Sequence, residues 1–328
     1  MRQIRVILWD SYRLLTAKKL FWVTLGISLF VAFLYASIGF NDQGMSFFFG
    51  LKKIEYDLMG IQGEVAKVAY MKIFTDWLVP WWLGCFSLVL ALISVSSVFP
   101  DFLQKGSIDV AVSKPISRVA LFLTKYLGCL LFVAIQVTVF CLICYIAQGA
   151  RLGHWGLQIF WAVPLLVFAF SLIFCIPVLT AIRSNSTIFA LLMALVMWGL
   201  SSAVYYIESG VFQATYSLNK LGEVMSEEET LQVSDGPYNV AKTIAMPFPK
   251  TQKITYMIKD KVLVEGVNMS EYGGVLDLLL GGSGPKLNEG MMTAVRNRHS
   301  MTYIIGSSLL FNLAILSLAC WSFVRKDF

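Results

Sequence analysis

The sequence predicts an all-α integral membrane protein with six transmembrane helices, an amino-terminal interfacial amphipathic helix and a large extracytoplasmic loop between helices five and six. Three observations carry that prediction. Hydrophobic residues make up 57% of the 328 positions and charged residues only 14%, where soluble domains carry about 25% charge. Six stretches reach the roughly 20 apolar residues needed to cross about 30 Å of hydrocarbon. The short connections between them place basic residues on alternate sides.

In chain order, residues 1–19, "MRQIRVILWDSYRLLTAKK", space Ile4, Leu8, Tyr12 and Leu15 along one helical face, with Arg5, Arg13, Lys18 and Lys19 off it. Such a helix can lie in the headgroup layer with its basic side chains reaching outward, as a plain anchor or as an elbow coupled to the spans. The predicted spans are 20–40, 77–99, 121–147, 157–179, 188–207 and 303–324. The first is too long for a cleavable signal and has no small-residue cleavage site before the polar loop. The chain thus divides into the amphipathic helix 1–19, five spans over 20–207 with a polar loop at 100–119, an outer region 208–302, and the last span with its tail at 303–328.

Orientation follows from charge. With the amino terminus inside, the inner segments hold twelve basic residues, among them Arg2, Lys105, Lys114, Arg118, Lys125, Arg183 and Lys326, against four acidic ones, Asp10, Asp101, Asp109 and Asp327. Both termini are therefore expected in the cytoplasm, the protein being multi-pass in the cell (inner, cytoplasmic) membrane. The net charge of +6 is read as membrane topology, with no nucleic-acid partner.

Several chemistries find no support. The six cysteines all fall inside spans; Cys141-x-x-Cys144 lies mid-helix with no histidine or carboxylate near it in sequence, so small apolar packing residues are expected and no metal site. His154 and His299 belong to no H-E-x-x-H pattern. "GGSGPK", 281–286, lacks the spacing of a phosphate loop and reads as a turn, and Asn268-Met269-Ser270 is a triplet that arises easily by chance. No ATP-binding or catalytic motif is present, and no bound cofactor is expected in this chain. Apart from Lys125, the predicted spans carry no ionisable Asp, Glu, Lys, Arg or His, whereas ion-coupled transporters generally carry such groups. Energy for any uphill transport is expected to enter from elsewhere. The outer stretches 41–76 and 208–302 hold helix-like pieces, including a capping box at Ser226 and Glu229, and "MPFPKT", 246–251, reads as an extended turn.

The polar loop "DFLQKGSIDVAVSKPISR", 101–118, is fenced by two prolines. Pro100 is expected to close the second span, while Pro115 breaks the chain again before Ser117 caps the third. As one helix, 101–112 would turn Phe102, Leu103, Gly106 and Val110 toward the spans. Asp101, Lys105, Ile108, Asp109 and Val112 would face outward, with Ile108 and Val112 as an apolar pair amid charges. Such a face fits a pocket on a cytoplasmic partner; it also fits an interfacial helix that merely turns the chain.

The run "DFLQKGSIDVAVSKPISRVALFLTKYLG" resembles the cytoplasmic loop of permease subunits of type 2 (export-type) ATP-binding-cassette (ABC) transporters. The matching positions are the acidic Asp101, where Glu is commoner, Gly106-Ser107, the apolar piece 108–112, Pro115, Ser117-Arg118 and Lys125 to Gly128. The ending "FVRKDF" is similar to that family's usual aromatic, basic pair, Asp and Phe. The resemblance implies a permease subunit of an ABC exporter. A separate cytoplasmic ABC ATPase, carrying ATP and Mg, would seat the loop in a groove, and a second permease copy or homologue would complete the path through the lipid bilayer. It implies docking residues at Asp101, Lys105, Gly106, Ile108, Asp109, Val112, Lys114, Pro115 and Arg118. A non-transporting scaffold or sensor that recruits a cytoplasmic protein is the alternative, and a membrane enzyme stands third.

Overall fold

A computed structural model describes residues 19–41, 44–55, 70–104, 108, 117–153, 155–225, 236–262 and 298–326. Six helices are long and apolar enough to cross a membrane. They are α1 (Lys19–Ser37), α2 (Tyr70–Phe102), α3 (Arg118–Leu152), α4 (Leu157–Ser184), α5 (Thr187–Met225, of which Thr187–Thr215 is the apolar part) and α8 (Met301–Val324). Two shorter helices, α6 (Gly236–Ala245) and α7 (Thr251–Val262), lie between α5 and α8 in sequence. Strands β1 (Gly39–Asn41), β2 (Gly44–Phe47) and β3 (Lys52–Glu55) form an antiparallel meander just after α1.

The outside of this bundle is apolar. Trp22, Phe30, Ile188, Leu310 and Leu313 are all more than half exposed, and they sit on three different long helices. Water would penalise such a surface, whereas lipid tails solvate it. This is a multi-pass membrane protein.

Inside, the core mixes aromatics with a few paired polar groups. Phe99, Phe122, Phe170, Phe174 and Phe323 are almost fully buried, with Tyr126 stacked on Phe174 at 5.6 Å. Gln136 Nε2 donates to Ser28 Oγ (3.3 Å), Ser94 Oγ to Thr24 Oγ1 (3.3 Å), and Asn312 Nδ2 to Ser171 Oγ (2.8 Å). These bonds cross from helix to helix, where each is worth about 0.6 kcal/mol in a membrane, and they set register as much as stability.

The contacts also fix direction. Phe21 and Ser28 of α1 meet Phe132 and Gln136 of α3, so those two helices run parallel. Thr24 meets Ser94 while Tyr35 stacks on Tyr70 at 4.5 Å, so α1 and α2 run antiparallel. One end of the bundle therefore gathers the start of α1, the end of α2, the start of α3, the α4–α5 turn and the end of α8. The opposite end carries the sheet, α6 and α7.

Several boundaries move from their expected places. Helix α2 starts at Tyr70, not 77, and α5 runs on to Met225, past the expected limit at 207. The hydropathy signal stops where Lys72, Asp76 and Glu208 enter, but helical propensity and packing do not. Lys72, Asp76 and Glu208 thereby join the spans, near their ends, and Asp76 pairs with Lys259 of α7. The stretch 41–76 was expected to hold helix-like pieces: among its described residues 70–76 are helical and belong to α2, Phe48–Gly50 is a single 3-10 turn, and the rest of 41–55 is mostly the β meander. Pro100 does not close α2: the ladder turns at Ser96-Ser97, and Pro100 sits in the first turn of the next helical piece, where its missing N–H costs little.

Within α2, residues 74–86 are wound as a wide π-helix that contains Pro80. Gly84 lies there, and a Cβ on it would fall 2.5 Å from Thr255 Cγ2, so the glycine is what lets α7 seat against α2. The buried cysteines behave as expected: Cys129, Cys141, Cys144 and Cys175 are all packed inside. The residues 1–18, His154, the sequon at Asn268, "GGSGPK" and the capping box at Ser226 lie outside the described residues.

Candidate functional site

The expected docking loop joins the end of α2 to the start of α3. At Leu103 the helix begins to tighten: Leu103 N donates to Phe99 O (3.0 Å) and also to Pro100 O (3.2 Å), Gln104 N donates to Asp101 O (3.4 Å), and Ile108 N to Gln104 O (3.4 Å). Phe102 and Leu103 face inward, as the helical reading predicted, and Asp101 faces out beside an exposed Gln104.

Ile108 corrects the prediction. It is 2% exposed and belongs to the core, so it is not an outward apolar anchor. The turn at Leu103 and the bend at Gln104 break the constant 100° step that put Ile108 on the outer face. Lys105, Gly106, Asp109, Val112, Lys114 and Pro115 lie outside the described residues.

Around Phe102 the structure ties the ends of three spans together. Phe102 stacks on Phe323 of α8 at 6.2 Å, Phe323 lies 5.9 Å from Phe122 of α3, and Lys125 Nζ sits 5.4 Å over the Phe102 ring. One turn back, Phe99 contacts Phe122 (5.7 Å) and Phe174 of α4 (6.3 Å). Ser117 caps α3 as expected, its hydroxyl accepting from Ala120 N at 3.2 Å.

The carboxyl-terminal tail closes this end. Arg118 Nη1 donates to the carbonyls of Val324 (3.0 Å) and Lys326 (3.1 Å). Asn185 takes the left-handed backbone conformation (φ 52°) that ends α4, and Lys326 Nζ donates to its Oδ1 (2.8 Å) and to Ile182 O (2.5 Å). Cations thus meet the free carbonyls at two helix C-termini, where the helix dipole favours them. Of the sequence-predicted residues, Asp101, Ile108 and Arg118 are gathered at this one end. Phe323 and Lys326 join them from the tail that carried the second part of the resemblance.

A second constellation escaped the sequence reading. At the opposite end Glu208 of α5 is 3% exposed and faces His299 Nε2 at 2.6 Å and Arg298 Nη2 at 3.4 Å. Lys253 Nζ of α7 stands at 4.0 Å from the same carboxylate. Its members come from three separate segments with no common spacing; the only local signal was one acidic residue at the end of an apolar run.

Among the described residues no group of three or more His, Cys, Asp or Glu could hold a metal ion. No protein-family model, curated protein or solved structure matches the chain.

Proposed function

We propose that this chain is the membrane-spanning permease subunit of an ABC exporter, coupled through residues 100–119 to a separate cytoplasmic ATPase that carries ATP and Mg. Both termini then face the cytoplasm of the cell membrane, and a second permease, identical or homologous, completes the pathway. The chain itself hydrolyses nothing.

The observation that carries the reading is the inward anchoring of the α2–α3 junction. A lever must be exposed where force is applied and fixed where force is delivered. Asp101 and Gln104 supply the exposed side. Phe102 against Phe323, and Phe99 against Phe122 and Phe174, link the buried side to α8, α3 and α4. Close-packed aromatic contacts transmit a displacement instead of absorbing it. A partner that pulls on this junction would therefore move three spans at once.

The test is purification of the tagged chain from membranes in mild detergent, with mass spectrometry of co-purifying proteins and an ATPase assay. An ATP-binding subunit in stoichiometric amount, lost in Asp101→Arg/Gln104→Glu while the melting temperature of the chain holds, is the expected result. A chain that elutes without ATPase activity would contradict the proposal and leave the scaffold or sensor reading. Ile108→Asp is a poor variant for this purpose, because it buries a charge in the chain's own core.

A further inference from the structure

The Glu208 cluster holds more positive charge than its one carboxylate balances. Arg298, 1% exposed, spends Nη2 on Glu208, while its Nε and Nη1 meet no acceptor. Lys253 Nζ, on a side chain 8% exposed, makes no hydrogen bond, and neither does the buried Thr251 hydroxyl beside it in sequence. Lys250 adds a third cation, its Nζ held by Ser307 Oγ (3.0 Å) and Met246 O (3.4 Å) and lying 4.8 Å over the Tyr303 ring. The rings of Tyr205 (5.4 Å) and Phe212 (5.7 Å) flank the Arg298 guanidinium. The amino-terminal ends of α7 and α8 both lie near this point, and their helix dipoles add positive potential.

Buried donors without acceptors, and buried cations in excess, are costly unless something supplies the missing oxygen and the missing charge. Burial, reinforced by Arg298, pushes the Lys253 ammonium down to about 7 even with Glu208 pulling it back up. An added anion would restore the balance, and Arg and Lys are the side chains that bind phosphate oxygens best.

The surroundings say what carries the anion. An open cavity of about 240 Å³ adjoins Glu208 between α5 and α6, walled by Val204, Ile207, Val211, Pro237, Val240 and Ile244. The apolar surface continues outward: Ile207, Val240 and Ile244 are each more than half exposed. A free phosphate would make no use of that wall; an amphiphile would.

We infer that this end of the bundle binds an anionic phospholipid, with its phosphate on Arg298 and Lys253 and the start of an acyl chain in the cavity between α5 and α6. The site is independent of the ATPase-docking proposal and serves equally in a scaffold.

The test compares phosphatidylglycerol with phosphatidylcholine of the same acyl chains, added to the purified chain and read by native mass spectrometry and by melting temperature. Wild type should retain phosphatidylglycerol at least tenfold more than phosphatidylcholine and melt higher in its presence. Lys253→Gln should remove most of that preference and Lys253→Arg should restore it. Lys253→Gln is the cleaner variant, since Arg298→Gln would also break a bond to Glu208. Equal retention of the two lipids by wild type, or an undiminished preference in Lys253→Gln, would overturn the inference. Inorganic phosphate that raises the melting temperature as much as the lipid does, with no lipid retained, would overturn the lipid as occupant and assign the site to a soluble anion.

Discussion

The two ends of the bundle use the same residue types in opposite ways. At the end that gathers the α2–α3 junction and the tail, Arg118 and Lys326 reach across to helix C-termini and give their donors to backbone carbonyls. Those carbonyls need donors in any case, and the helix dipole favours a cation there. At the other end Lys250, Lys253 and Arg298 crowd one buried carboxylate, and several of their donors find nothing. Among the described residues, the first end gives the donors of these two cations acceptors and is mechanically tied, whereas the second leaves cation donors that a further anion would satisfy. A cation at a helix end can thus be a clasp or an invitation, and what separates the two is whether acceptors outnumber donors around it.

The contrast is sharpest at Glu208. Replacing it by Gln leaves three buried cations without a counter-charge, and removal of one member of a buried ion pair costs about 3–5 kcal/mol. Glu208→Gln should therefore lower the melting temperature in neutral detergent strongly, and an unchanged value would mean that the cations are not held by that carboxylate. Ile108→Ala comes next: truncation of a buried Ile costs about 2–5 kcal/mol where the site cannot collapse. The variant should be markedly less stable to heat, whereas an outward-facing Ile108 would leave stability near wild type.

Acidity probes the open end. Lys253, set down to about 7 by burial and by Arg298, Lys250 and Lys242 against Glu208, binds its proton less well folded than unfolded. Between about pH 7 and the ordinary lysine range the unfolded chain holds more protons, so stability from this group rises with pH and levels off below about 7. Melting temperatures measured across that range without anionic lipid should climb, and Lys253→Met should flatten the climb; a wild-type profile that falls over the same interval would break the comparison. The tied end offers the smallest effect. Arg118→Ala removes two charge-assisted bonds at a partly exposed site and should cost about 1 kcal/mol, read as a small drop in melting temperature that is insensitive to lipid head group.

Much of this architecture is legible in the sequence. The six spans stand out because lipid demands long uninterrupted apolar runs, and Ser117 stands out because a hydroxyl before a helix start has few other uses. The span ends do not stand out: Tyr70 to Asp76 and the region after Ile207 carry charged and polar residues yet are helical, since secondary structure continues where hydropathy falls. Ile108 lies inside because the turn at Leu103 and the bend at Gln104 interrupt the single helical period that would place it outward. The Glu208 cluster was invisible for a deeper reason. Glu208, Lys253 and Arg298 are 45 or more positions apart, and nothing local marks residues that only folding brings together.

The central claim, that the α2–α3 junction is an anchored lever worked by an ATP-binding partner, is tested most directly by cross-linking single cysteines at its two faces in native membranes. Gln104→Cys should cross-link to an ATP-binding subunit in a yield that changes when nucleotide is added, while Ile108→Cys should remain unreactive to a membrane-impermeant thiol reagent and to the partner. Equal reactivity at both positions, or no cross-link to any ATP-binding protein from Gln104→Cys, would contradict it.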